Sequence, residues 1–175
     1  MHYLPRKALR PQLMALIIAV VVFLVGFLVY SIDRQPAQVY FLSDWMSLGD
    51  GKGSVFGALG KHLPTFVHVY TFILFTMAIV VPAEHYRQYL PWVCLGWFAF
   101  DSLFEIAQLD AIGRKIAHWV PDWFAHVPFL ENTASYFIIG TFDVLDLLSI
   151  AFGALAAYLT MHMIIKRSAH SATSV

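Results

Sequence analysis

The chain is predicted to be an all-α polytopic membrane protein with four transmembrane helices and two interfacial, aromatic-rich connections. Two observations carry this. Of its 175 residues, 59% are hydrophobic and 13% charged, whereas soluble domains run near 45–50% apolar and about 25% charged. The apolar residues also fall into blocks long enough to cross a hydrocarbon core of about 30 Å, which takes about 20 helical residues. The length suits one domain. The prediction is a single transmembrane domain over residues 1–167, with a disordered polar tail over 168–175.

The first block, residues 13–30, follows Arg6, Lys7 and Arg10. A basic front before an apolar run also describes a signal peptide. This run exceeds the usual apolar region of about 7–15 residues and no small-x-small site follows, so a retained helix is expected. The second helix, 63–81, is opened by Pro64 and stopped by Pro82. A short polar turn, 83–90, leads to the third, about 91–109. The fourth runs from about 142 to 165 and ends at Lys166 and Arg167.

The two long connections are rich in aromatics. Residues 39–46 include Tyr40, Phe41 and Trp45. Residues 116–137 include Trp119, Trp123, Phe124, Phe129, Tyr136 and Phe137, interrupted by Pro121 and Pro128. Aromatics with polar tips favour the headgroup level of a bilayer, so these segments are expected to lie along one membrane face. A re-entrant segment over 129–139 is an alternative. Residues 49–60 form a glycine-rich connection without the strand or GK[ST] of a phosphate loop.

Basic residues are denser in the N-terminal stretch, the short turn and the C-terminal end than in the long connections. This predicts cytoplasmic termini. A formal net charge of zero gives no footprint for nucleic acid. The lone Cys94 permits no intrachain disulfide. Nucleophile-elbow and HExxH motifs are absent, and His118 and His126 are not read as ligands.

The informative residues are polar ones within the apolar blocks. The third helix carries Asp101, Glu105 and Gln108. At 100° per residue, Glu105 lies about 40° from Asp101 and Gln108 about 20° to its other side, forming one stripe. The second helix carries His68, and the fourth opens with Asp143 and Asp146, three residues apart on one face. Loop parity places the second helix's start, the third's end and the fourth's start on one membrane side. His68, Glu105 and Asp146 then lie roughly 6–8 Å below that surface, with Asp101 a turn deeper. Each has a simpler explanation: Asp143 as a helix cap, Gln108 as interhelical glue, His68 as a satisfied polar residue. A carboxyl at membrane depth costs about 2.5–3.5 kcal/mol on insertion scales and usually marks pairing or a site. Gly153 and Ala156 are read as close-packing positions.

The order of these residues resembles the VanZ-like family of small bacterial membrane proteins. The matching stretches are HVYTF from His68 to Phe72, EIAQ from Glu105 to Gln108, and DLLSIAFG from Asp146 to Gly153. The resemblance covers about residues 63–159. Pro64 and Thr65 stand where that family has an Asp-Lys pair, and Ile150 where it has an Asn, so this resembles a divergent branch. The family's founding members are associated with resistance to teicoplanin-type glycopeptides. The resemblance therefore implies a cell-envelope setting, in the bacterial inner (plasma) membrane, with no particular reaction.

Three functions are compatible with the residues. In one, His68, Glu105, Gln108, Asp146, Asp143 and Asp101 form an extracytoplasmic pocket for the headgroup of a lipid, a lipid-linked envelope precursor or a glycopeptide-type ligand. In the second, an enzyme acts on such a headgroup. His68 is then general base and Glu105 general acid, or a divalent metal is held by His68, Glu105, Asp143 and Asp146. In the third, Asp101 and Glu105 relay protons in a small transporter. Binding without a resident cofactor is the expectation, because no complete metal motif or nucleophile is recognisable. Oligomeric state is left open.

Overall fold

The computed structural model describes residues 6–33, 44–48 and 55–173. Every regular element among them is helical: α1 (Arg6–Asp33), α2 (Gly57–Ile79), α3 (Tyr86–Ile106), α4 (Asp110–Trp119), α5 (Thr133–Ile139) and α6 (Val144–Thr173). Short 3-10 turns occupy Asp44–Met46, Ala83–His85 and Asp122–His126. Three segments are long and apolar enough to cross a membrane: Pro11–Asp33, Leu59–Ile79 and Val144–Ala169. A fourth candidate, Ala83–Ile106 together with Asp110–Trp119, is bent by 94° at the break between its two helices. The chain is thus an all-α polytopic membrane protein with three or four candidate spans.

α2 is the central helix, packed against α1, α3 and α6. Glycines bring the backbones close on two of its sides. A Cβ on Gly26 of α1 would run into Val67, and one on Gly153 of α6 would run into Val69 and lie 2.7 Å from the Phe66 carbonyl oxygen. Gly153 is thus a packing position, and half-buried Ala156 lies against the same core. This follows the membrane rule that small residues let helices approach where lipid supplies no hydrophobic drive for association. Tyr70 Oη meets Thr160 Oγ1 at 3.1 Å, and Trp97 Nε1 donates to Thr76 Oγ1 at 2.9 Å, tying α2 to α6 and α3. Outward residues of α1 such as Leu13, Ile17, Val21 and Leu24 are more than half exposed. An apolar surface of that extent suits lipid.

Several boundaries differ from the sequence-based expectation. α2 starts at Gly57 instead of 63, and Pro64 lies inside it, fully buried. The cause is at the end of α1. The Asp33 carboxylate accepts the Val55 and Phe56 backbone N–H groups at 2.7 and 3.0 Å, anchoring the entry to α2 ahead of the proline. The expected polar turn over 83–90 is mostly helical, and α3 begins at Tyr86 instead of Pro91. Tyr86 and Leu90, one turn apart, are buried in the core, and this packing outweighs the exposed polar Arg87 and Gln88 between them. α3 stops at Ile106, so Gln108 sits in the turn beyond it.

α6 starts at Val144 instead of 142. The tail expected to be disordered from 168 remains helical to Thr173, with Ser168 Oγ bonded to the Ile164 carbonyl at 2.9 Å. The aromatic segment 116–137 folds into the end of α4, the turn Asp122–His126 and α5. At seven residues, α5 is too short to span a bilayer. Trp119, Trp123 and Trp45 are strongly exposed, as interfacial aromatics would be. Tyr40, Phe41 and the glycine-rich residues 49–54 lie outside the described residues.

Candidate functional site

The start of α2, the end of α3 and the start of α6 meet at one end of the bundle, around a cavity of about 540 Å³. All six residues singled out from the sequence line it: His68, Asp101, Glu105, Gln108, Asp143 and Asp146. Lys61 and Thr65 of α2, Tyr30 of α1, Tyr136 of α5 and the rings of Phe100 and Phe104 complete most of the wall.

Glu105 joins three segments. Its Oε1 accepts the backbone N–H of Asp143 at 2.7 Å, and its Oε2 accepts Gln108 Nε2 at 3.2 Å. Gln108 Nε2 also donates to Tyr136 Oη at 2.8 Å. One buried carboxyl thus connects α3, the approach to α6 and, through Gln108, α5. Gly140 permits this, since a Cβ there would lie 2.5 Å from both Gln108 Oε1 and the Tyr136 carbonyl oxygen. Burial pushes the Tyr136 phenol above its ordinary value, so it serves as a neutral hydrogen-bonding group.

Deeper in the cavity, His68 Nδ1 lies 3.0 Å from Asp101 Oδ2, and Asp101 is buried. With Asp101 ionised, its carboxylate only accepts, so Nδ1 is then the donor and a neutral ring keeps the Nε2 lone pair. His68 is therefore paired with Asp101, and not with Glu105 or Asp146. At the rim, Asp146 Oδ1 meets His62 Nδ1 at 2.9 Å and Thr65 Oγ1 at 3.3 Å. Asp143 Oδ2 accepts Lys61 Nζ at 2.8 Å, while its Oδ1 accepts the Leu145 N–H at 2.9 Å. Asp143 is accordingly a helix cap and one half of an ion pair. The Lys61 ammonium and the Leu145 N–H hold its carboxyl below the usual carboxylate range.

Thr65 Oγ1 donates to Asp146 Oδ1, His68 pairs with Asp101, and no serine or cysteine is among the described residues lining the cavity. The atoms best grouped for a metal ion are in His62, Asp143 and Asp146, within 4.8 Å of one another. This differs from the expected set of His68, Glu105, Asp143 and Asp146. Neither His68 nor Glu105 belongs to the observed group.

The sequence reading missed Lys61, His62, Thr65, Tyr30 and Tyr136. A signal existed for two of them: Lys61 and Thr65 precede His68 by seven and three residues, the spacing of one helix face. For Lys61 it was hidden by starting the helix at 63; Thr65 lay inside the expected helix and was passed over. Tyr30 and Tyr136 reach the cavity from α1 and α5 by tertiary packing, which no local pattern announces. No family model, curated protein or solved structure matches the chain.

Proposed function

We propose that this is a VanZ-like, four-span protein of the bacterial cell envelope that binds the headgroup of a lipid or lipid-linked precursor. The observation that carries this reading is the cavity of about 540 Å³ at one end of the helices, with hydrogen-bonding groups inside and aromatic rings in its wall. A volume of that size falls in the range of small-molecule sites, about 300–1,000 Å³. Its location suits an amphiphile, whose polar end enters the cavity while its tails stay along the apolar helix faces. The bent pair α3–α4 supplies the fourth span, with α4 lying along the membrane surface. The density of basic residues in the N-terminal stretch, the short connection and the C-terminal end supports cytoplasmic termini and a cavity that opens outside.

One observation favours a second reading, an enzyme acting on the headgroup. The Asp101 carboxylate orients the His68 imidazole as it would a general base. Glu105 is poorly arranged as the matching acid, because both its oxygens already accept N–H groups.

Native mass spectrometry of the purified protein tests the binding reading. Wild type is expected to retain lipid that Thr141→Trp, which fills the cavity wall, releases. Equal retention by both proteins would remove the cavity from the account. Orientation is checked separately with a periplasmic reporter fused after Arg114, expected active, and one fused after Arg87, expected inactive. The opposite pattern reverses the topology.

A further inference from the structure

We infer that the ligand enters this cavity with a primary ammonium group. The inference rests on the headgroup reading above and specifies its chemistry. It starts from the charges in the wall. Asp101, Glu105, Asp143 and Asp146 face the cavity, and Lys61 is the only lysine or arginine among the described residues lining it. Lys61 is engaged with Asp143, at the exposed rim. Asp101 meets an imidazole, Asp146 an imidazole and a hydroxyl, and Glu105 only a backbone N–H and an amide. The acids therefore outnumber the cations available to them. A phosphate-only or carboxylate ligand would add negative charge to this surplus, whereas an ammonium would offset it.

The rest of the wall discriminates further. Phe100 and Phe104 lie 4.9 Å apart between ring centroids and border the same space as Tyr30 and Tyr136. Aromatic faces attract an organic cation, most strongly where water is excluded. A hydrated divalent ion gains little from rings, and at His62, Asp143 and Asp146 it would sit beside the Lys61 ammonium already paired with Asp143. A primary ammonium also has three N–H donors, and each carboxylate oxygen that already accepts once can accept again. Carboxylates beside rings thus fit an alkylammonium. If the amine belongs to a phospholipid, the phosphate stays near the rim, where Lys61 is more than half exposed. The ammonium chemistry is shared by a lipid headgroup and a soluble amine, and the test separates them.

The test is a titration of the full chain in detergent micelles, read by native mass spectrometry. The ligands are phosphatidylethanolamine, its N-acetylated form, phosphatidylglycerol, free ethanolamine and magnesium ion. Phosphatidylethanolamine is expected to bind at least about tenfold more tightly than the N-acetylated form, which keeps the phosphate and tails but lacks the cation. Phe104→Leu and Asp101→Asn should each weaken phosphatidylethanolamine about tenfold and leave phosphatidylglycerol unchanged. Ethanolamine matching the lipid would keep the ammonium and make its source soluble. Equal binding of the acetylated lipid or of phosphatidylglycerol overturns the ammonium while headgroup binding stands. Saturable magnesium binding with no preference for the amine overturns it in favour of a metal. Absence of any lipid or amine binding removes both this inference and the headgroup reading. The wild-type ligand series decides these outcomes even if a variant fails to fold.

Discussion

The two ends of the bundle are built on different principles. Around the short connection between α2 and α3, the interior is apolar: Met77, Val81, Tyr86, Leu90, Met161 and Ile164 are buried together. At the opposite end, the same three helices are held apart by hydrogen bonds that surround a cavity: Glu105 to the approach of α6, His68 to Asp101, and Asp146 to His62. In a membrane, where lipid is as apolar as the core, a filled end gains by close packing. The cavity end is held by polar ties whose rupture leaves buried groups unsatisfied, a costly outcome at low dielectric. The comparison teaches where stability and function separate. If the cavity binds a headgroup as proposed, the filled end can be altered without touching that ligand, but the cavity end cannot.

A pair of substitutions would break or sharpen this contrast. Met161→Ala, in the filled end, should cost about 3 kcal/mol by leaving a cavity, with lipid retention unchanged. Glu105→Leu should cost about 2 kcal/mol, because the Asp143 N–H and the Gln108 amide lose their acceptor, and it should release lipid as well. Glu105→Gln separates shape from charge. The Gln108 amide can turn its oxygen toward the new NH₂, so most stability should return. Unfolding curves and native mass spectrometry on the same samples provide both readouts. Lipid loss in Met161→Ala at a temperature where it stays folded would mean that the two ends are coupled and the contrast is wrong.

How much of this could be read in advance follows the same division. The apolar blocks marked all the long helices, because membrane burial writes itself into composition. The placement of His68, Asp101, Glu105 and Asp146 around one space was accessible from helical phase and loop parity, which need only the rise and twist of a helix. The boundaries were less accessible. Pro64 reads as a helix start, yet Asp33, far away in sequence, anchors the chain ahead of it. Tyr86 and Leu90 sit in a stretch whose polar neighbours suggest a turn, and only packing against the other helices makes it helical. The pairing of His68 with Asp101, and not with a residue of α6, depends on side-chain reach across a groove, which spacing along one helix does not encode.

The smallest expected effect lies at the rim, where Lys61 meets Asp143. The ammonium is the first cause holding the Asp143 carboxyl below its usual range, with the Leu145 N–H second. A carboxyl depressed in the folded state stabilises the fold above its unfolded pKa, and that contribution is lost as pH falls through the folded value. Removing the ammonium in Lys61→Met should move the carboxyl back toward the ordinary range. The acid limb of a melting-temperature profile should then be shallower in the variant than in wild type, the two converging as Asp143 becomes protonated. At neutral pH the variant should melt slightly below wild type, and only slightly, because the Lys61 side chain is 56% exposed and solvent screens such pairs. Thermal melts in steps from pH 6 to pH 3 measure both. Limbs that coincide would show that the Leu145 N–H alone holds Asp143, leaving Lys61 with no part in shaping the rim. A variant that is less stable at every pH would instead make the pair part of the framework, as Glu105 is, and move the boundary between framework and site outward to the start of α2.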